Sequence, residues 1–242
     1  MTCLILAAGY ATRLYPLTEN FPKPLLEIGS STILDRLIRD LEENAGVDKF
    51  TVISNHKFAK IFEKWAEGRP EISVADDGTE TNETRLGAVR DILFAVEKQD
   101  IRDDLLVMAG DNVLDFSLSG FVSYAAACGT SCVMCHEEND LAKQQKTAII
   151  TVDESGLITS YEEKPKAPRG NLAVPPFYFY RREDAARIPE ALADGCGADA
   201  PGSFAAWLSR HTPMHAWRMP GRRYDIGGLE SYEEAKRIFG NS

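Results

Sequence analysis

Thr2-Cys3-Leu4-Ile5-Leu6-Ala7-Ala8-Gly9-Tyr10-Ala11-Thr12-Arg13-Leu14 opens the chain with an unbroken apolar run that gives way to small residues. A short continuous apolar run bounded by glycine reads as a strand buried on both faces. No basic residue precedes it and the stretch is short, so it is expected to be a core strand and not an export signal. A long loop follows, carrying Arg13, Pro16 and Pro22-Lys23-Pro24-Leu25. Loops of that length inside a compact domain are usually functional. Small residues at Ala7, Ala8 and Gly9 let a ligand approach the backbone, whose N–H groups can meet phosphate oxygens. Arg13 and Lys23 add fixed positive charge. The competing reading is a plain surface loop with two solvated cations. Neither the P-loop pattern nor the dinucleotide fingerprint is present.

Outward from this strand, apolar and amphipathic stretches alternate. Residues 33–44 read as a helix with Ile33, Leu37, Ile38 and Leu41 on one face, 50–53 as a strand, and 58–65 as a helix. Residues 72–75 form a strand, 86–96 a helix, and 105–109 an all-apolar strand stopped by Gly110-Asp111-Asn112. Residues 121–127 read as helical and 131–135 as extended. From about 147 the texture changes to strand-like runs at 147–152, 157–162 and 174–180, then helices at 183–193, 202–209 and 229–239. The alternation predicts an α/β fold: a Rossmann-like mixed, mainly parallel sheet flanked by helices. Ligands of such sheets sit outside the carboxyl ends of the strands, so the loops after Ala7 and Ala109 are the places to look. No linker or repeat divides the 242 residues, which read as one domain.

The chain carries 27 Lys and Arg against 37 Asp and Glu, a formal net charge of −10. That balance excludes a protein built to bind nucleic acid, and a polybasic membrane anchor with it. It leaves room for a local basic site. Five cysteines at irregular spacing, without an export signal, point to a reducing, cytoplasmic setting. Cys128, Cys132 and Cys135 share the spacing of a radical SAM iron–sulfur motif. A strand at 131–135 would turn Cys132 and Cys135 to opposite faces, and buried Cys is commonly a small hydrophobe. His56, His136, His211 and His215 are scattered and read as structural or solvated. No Ser/His/Asp set emerges.

The stretch from Leu6 to Leu25 closely resembles the signature of the sugar-1-phosphate nucleotidyltransferases, roughly L-A-A-G-x-x-T-R-L-x-P-L-T-x-x-x-P-K-P-L. Gly110-Asp111-Asn112, Glu162-Glu163-Lys164-Pro165 and Tyr224-Asp225-Ile226-Gly227 follow in the family's order. The resemblance implies the nucleotide-diphospho-sugar transferase fold, with a nucleotide-binding half over about 1–130 and an acceptor half over about 131–242. It implies a reaction of an NTP with a sugar 1-phosphate to give an NDP-sugar and pyrophosphate. By the same resemblance Arg13 and Lys23 are catalytic and hold the triphosphate, with Leu6, Ala8, Gly9, Thr12, Gly87 and Asp111 also at the nucleotide. Asn112, Glu163, Lys164 and Asp225 would meet the acceptor, and Asp111 and Asp225 would hold Mg²⁺. A homodimer is left open.

Chemistry supports those roles. Phosphoryl-type transfers are catalysed mostly by positioning and electrostatics, and Mg²⁺ favours one or two carboxylates plus substrate phosphates. A phosphate monoester's second pKa is about 6, so the nucleophile needs no general base at neutral pH. Asp111 and Asp225 could instead be a turn and a loop aspartate. The family pattern breaks at two places. Pro175-Pro176 replaces a Thr-Gly used for sugar hydroxyls, and proline lacks the backbone donor. Thr147-Ala148-Ile149 stands where the thymidylyltransferase branch has Tyr-Gly-Val. Thr84-Arg85-Leu86-Gly87-Ala88 replaces the usual base-reading segment, so Arg85 either meets base or phosphate or is a solvated helix-start arginine. A cytidylyltransferase acting on a non-sugar phosphate such as phosphocholine, and a non-catalytic nucleotide-sugar sensor, are the alternative readings.

Overall fold

The computed structural model describes residues 1–240. Its strands are β1 (Thr2–Leu6), β2 (Glu27–Ile28), β3 (Ser31–Thr32), β4 (Phe50–Ser54), β5 (Ile72–Asp76), β6 (Leu105–Ala109) and β7 (Asn112–Leu114) in the first half. The second half adds β8 (Ser131–Glu137), β9 (Ala148–Val152), β10 (Ile158–Glu163), β11 (Leu172–Val174), β12 (Phe177–Tyr180), β13 (Met214–Arg218) and β14 (Arg223–Asp225). Helices are α1 (Ile33–Ala45), α2 (His56–Trp65), α3 (Ala88–Lys98), α4 (Ser119–Cys128), α5 (Leu141–Gln144), α6 (Arg182–Ala185), α7 (Ile188–Ala193), α8 (Gly202–Leu208) and α9 (Leu229–Phe239).

Local chemistry sets the boundaries. Thr32 Oγ1 accepts from the Asp35 N–H and caps α1, and Gly46 ends that helix at φ 65°. Asn55 caps α2 through the Phe58 N–H at 3.1 Å. These are the usual start and stop residues of helices.

One ten-stranded sheet crosses both halves, with path order β10-β9-β11-β8-β12-β6-β1-β4-β5 and β13 beside β8. β1 pairs in parallel with β4 and β6, as does β4 with β5. β12, β11 and β10 run against their neighbours, so the second half of the chain is largely antiparallel by pairing. β8, β9 and β13 keep the direction of β1, and the sheet as a whole is mixed and mainly parallel.

Period-two alternation divides the strands between two cores. Leu4, Val107, Val133 and Tyr180 pack with Val89 of α3 and Phe204 and Trp207 of α8. Cys3, Ile5, Leu106, Met108, Phe177 and Phe179 face Leu37 and Leu41 of α1, Phe58 of α2 and Phe121 of α4. A third cluster of Leu14, Ile28, Ile33, Val113, Ile226 and Tyr232 fastens the first loop to β7, β14 and α9. Burying each such side chain is worth roughly 1.5–3 kcal/mol, and here it fixes the site.

Several expectations are corrected. The single strand over 174–180 is two strands, because Pro175-Pro176 cannot continue the ladder. The helix over 183–193 is broken into α6 and α7. β7, β13, β14 and α5 were not expected from the sequence; their short, mixed-polarity runs carry no period. Cys132 and Cys135 enter opposite cores, so the three thiols do not converge on a cluster. No described helix is long and apolar enough to cross a membrane.

Candidate active site

The loop after β1 is held from all sides. Asn55 Nδ2 donates to Ala8 O at 2.9 Å, and the Gly110 N–H to Leu6 O at 3.1 Å. Thr18 Oγ1, fully buried, donates to Ala11 O, and Tyr10 OH donates to Thr79 O. Gly9 is exposed with open space where a side chain would stand. Thr12 and Arg13 lie in a short 3-10 turn that leaves both exposed.

β7 and β14 pair antiparallel in a two-stranded sheet, with Asn112 opposite Asp225, and so bring the two aspartates of the distant motifs together. Both oxygens of Asp111 are engaged: Asn112 Nδ2 donates to Oδ1 at 2.8 Å and Lys23 Nζ to Oδ2 at 2.5 Å. Lys23 also donates to Ile226 O at 3.0 Å, leaving one of its three donors for a ligand. The neighbouring protein costs the charged Asp225 hydration and the Asp111 charge adds to it, so its pKa is raised, against the opposing pull of Arg223, Lys23 and Arg13. Two adjacent carboxylates, one with a raised pKa, suit a hard divalent cation. A Cβ added to Gly227 would lie 3.6 Å from Asp225 Oδ2 and 3.9 Å from Arg13 Nη1, which places that guanidinium beside the pair.

Arg13, Asp111 and Asp225 open on a crevice of about 1160 Å³ at the carboxyl end of β6. Its wall carries Arg13, Asp111, Asp225, His136, Tyr178, Glu163 and Lys164. Lys164 leaves the end of β10 at φ 49°, a sparsely populated region for a non-glycine residue. Glu163 has a buried Oε2 without a partner, and burial raises its pKa despite Lys164. Pro176 also borders the crevice, and its carbonyl accepts the Ala109 N–H at 3.1 Å.

The remaining expected residues fall as follows. Asn112 is fully buried, with its amide committed to Asp111, Ala109 O and Arg223. Gly87 heads α3 and packs on Ala198 and Asp199. Arg85 is exposed, bound to Asp199 at 3.0 Å and to Asn82 O at 2.8 Å. Leu6 and Ala8 contribute backbone at the end of β1. Arg223, His136, Lys143 and Tyr178 border the crevice and were missed. Only for Arg223 was there a signal: it precedes Asp225 by two positions, hence on the same strand face.

Asp91, in the first turn of α3, is buried with Oδ1 unpaired, and burial aided by Asp77 raises its pKa to about 7. Its folded pKa exceeds its unfolded value of 3.8. The folded state then holds the extra proton, and stability falls as pH rises from about 4 to about 7. Asp91→Asn is therefore expected to gain on the wild type by about 1.4 kcal/mol per pH unit across that window. Urea unfolding at pH 5 and pH 8 checks it; a parallel pair of pH profiles refutes it.

A crevice at the edge of a mainly parallel sheet, with Arg13 and Lys164 in its wall beside two carboxylates and Lys23 bonded to one of them, defines an α/β protein that handles phosphate-rich ligands. The chain belongs to the nucleotidyl transferase family, whose family model matches residues 2–241. It is 25% identical to the UTP–glucose-1-phosphate uridylyltransferase AglF of Haloferax volcanii over 98% of this chain and 96% of that one. It is 26% identical to a glucose-1-phosphate adenylyltransferase of Thermotoga neapolitana over 97% of this chain, spanning 59% of the relative. A solved UDP-glucose pyrophosphorylase complexed with UDP-glucose shares the fold at a TM-score of 0.81 and 21% identity, covering 99% and 98% of the two chains.

Proposed function

We propose that this nucleotidyltransferase joins an NTP to a sugar 1-phosphate, giving an NDP-sugar and pyrophosphate with Mg²⁺. The observation that carries the reading is the meeting of Asp111 and Asp225 beside Lys23 and Arg13. Asp111 and Asp225 would hold the metal, which supplies charge neutralisation on the triphosphate. Lys23 uses its remaining donor on the α-phosphate while holding Asp111 in place. Arg13, exposed beside the carboxylates, meets the departing pyrophosphate. Lys164, across the crevice, orients the acceptor phosphate, whose ionised oxygen attacks the α-phosphorus in line. Ala8, Gly9, Thr12, Arg85 and Gly87 border the nucleotide; Glu163 faces the acceptor.

Pyrophosphate release from five nucleoside triphosphates against a panel of phosphorylated sugars and alcohols tests this. Release with a sugar 1-phosphate supports it, release with phosphocholine alone moves the acceptor to the non-sugar class, and no release with any pair leaves a sensor. Lys23→Ala removes a phosphate donor and frees Asp111, so kcat is expected to fall about a hundredfold or more. Near-normal turnover in that variant would contradict the assignment.

A further inference from the structure

Two nitrogens of crevice-lining residues are buried without a partner: Nε of Arg223 and Nδ1 of His136. Arg223 and Asp225 share one face of β14. Arg223 Nη1 donates to Asn112 Oδ1 at 2.6 Å, which anchors the rigid guanidinium fork and leaves Nε uncommitted. The fork is thereby tied through Asn112 to Asp111. His136 lies near the end of β8, paired with Ala173 of β11.

These groups share one environment. Burial lowers the pKa of His136, the charges of Arg223 and Lys143 lower it further, and Glu138 opposes them. Glu138 itself lies 4.0 Å from Lys143. The position in the sheet is also telling. β12 and β8 separate β6, which leads into Asp111, from β11, β9 and β10, whose end carries Lys164. With strands spaced about 4.8 Å apart, His136 stands between the aspartate pair and Lys164. A phosphate oriented by Lys164 and directed at a nucleotide held by Asp111 and Asp225 must cross this ground.

We propose that Arg223 and His136 form an anion cradle that receives the acceptor's phosphate between Lys164 and the two aspartates, with Lys143 at its rim. The proposal rests on the acceptor being a phosphate monoester, as above. Arg223 also acts as a positioning residue for Asp111 through Asn112.

Kinetics with a hexose 1-phosphate as varied substrate, at saturating NTP, test the cradle. His136→Gln is expected to raise the acceptor KM about tenfold or more while leaving the NTP KM unchanged. Arg223→Lys keeps the charge but loses the fork, and is expected to raise the acceptor KM and lower kcat together. A second readout needs no turnover. Inorganic phosphate added to enzyme with ¹⁵N-labelled histidine should move the ring signals of His136, identified among the four histidines by their loss in His136→Gln. That shift should vanish in Arg223→Gln. Unmoved His136 signals, or a KM effect falling on the NTP, would overturn the proposal. If phosphate moves His136 but only a phosphorylated acceptor other than a sugar 1-phosphate turns over, the cradle stands and the sugar 1-phosphate reading falls; if no phosphorylated acceptor turns over, both fall.

Discussion

Asp111→Ala is expected to lower kcat by about a thousandfold or more, with little change in thermal stability. The carboxylate is one of two that would hold the metal, and metal polarisation of a phosphoryl oxygen is worth several kcal/mol. Asp111 also organises its surroundings, since it receives Lys23 on one oxygen and Asn112 on the other. Its loss would remove the proposed metal ligand and release the lysine in one step. The fold does not depend on it: the Ile226 N–H bonds to the backbone carbonyl of Asp111, and Leu14, Val113 and Ile226 pack in the cluster beneath. Pyrophosphate release and a melting curve on the same preparation separate the two effects. A variant that keeps activity would remove Asp111 from the site, and one that unfolds would make it structural.

Gly87→Ala carries the second large effect, on stability. Gly87 sits at φ 91°, a conformation costing a side-chain-bearing residue about 1–3 kcal/mol. An added Cβ would also stand 2.7 Å from Ala198 O and 3.0 Å from the Asp199 Cα, backbone atoms that cannot rotate away. Those carbonyls accept the first N–H groups of α3, from Ala88 at 3.3 Å and Val89 at 2.9 Å. Overpacking of this kind adds about 1–3 kcal/mol, so a loss of roughly 2–5 kcal/mol is expected. Gly46→Ala is the control: it has φ 65° but open space around it, and should cost only the strain. Urea midpoints for the two variants measure the difference. Equal losses would show that the 198–199 segment yields.

Long-period signals were legible in the sequence. The buried strands β1, β4 and β6, the amphipathic α1 and the Leu6–Leu25 signature gave the α/β fold and the first loop, because each is local. Asp111 and Asp225 were legible only as separate motifs; their meeting depends on the pairing of β7 with β14, which no local pattern announces. Asn112 shows the limit well. Its place beside Asp111 was plain, but its burial and its bond to Arg223, 111 positions away, are tertiary facts. His136 reads as one of four scattered structural or solvated histidines until β8 is placed two strands from β6. The antiparallel pairing in the second half is likewise tertiary: β11 and β12 run in one direction on either side of β8, and the chain shifts from one edge of β8 to the other at Pro175-Pro176, a step that composition does not encode.

Nucleotidyl transfer to a phosphate monoester at the Asp111–Asp225 crevice is tested most directly by a ³¹P NMR time course of enzyme, Mg²⁺, an NTP and a sugar 1-phosphate. Pyrophosphate and a new nucleoside diphosphate diester should grow in equal amounts, only when both substrates are present, and stop on chelation of the metal. Orthophosphate with free nucleoside diphosphate, or an unchanged spectrum with every acceptor of the panel, would contradict it.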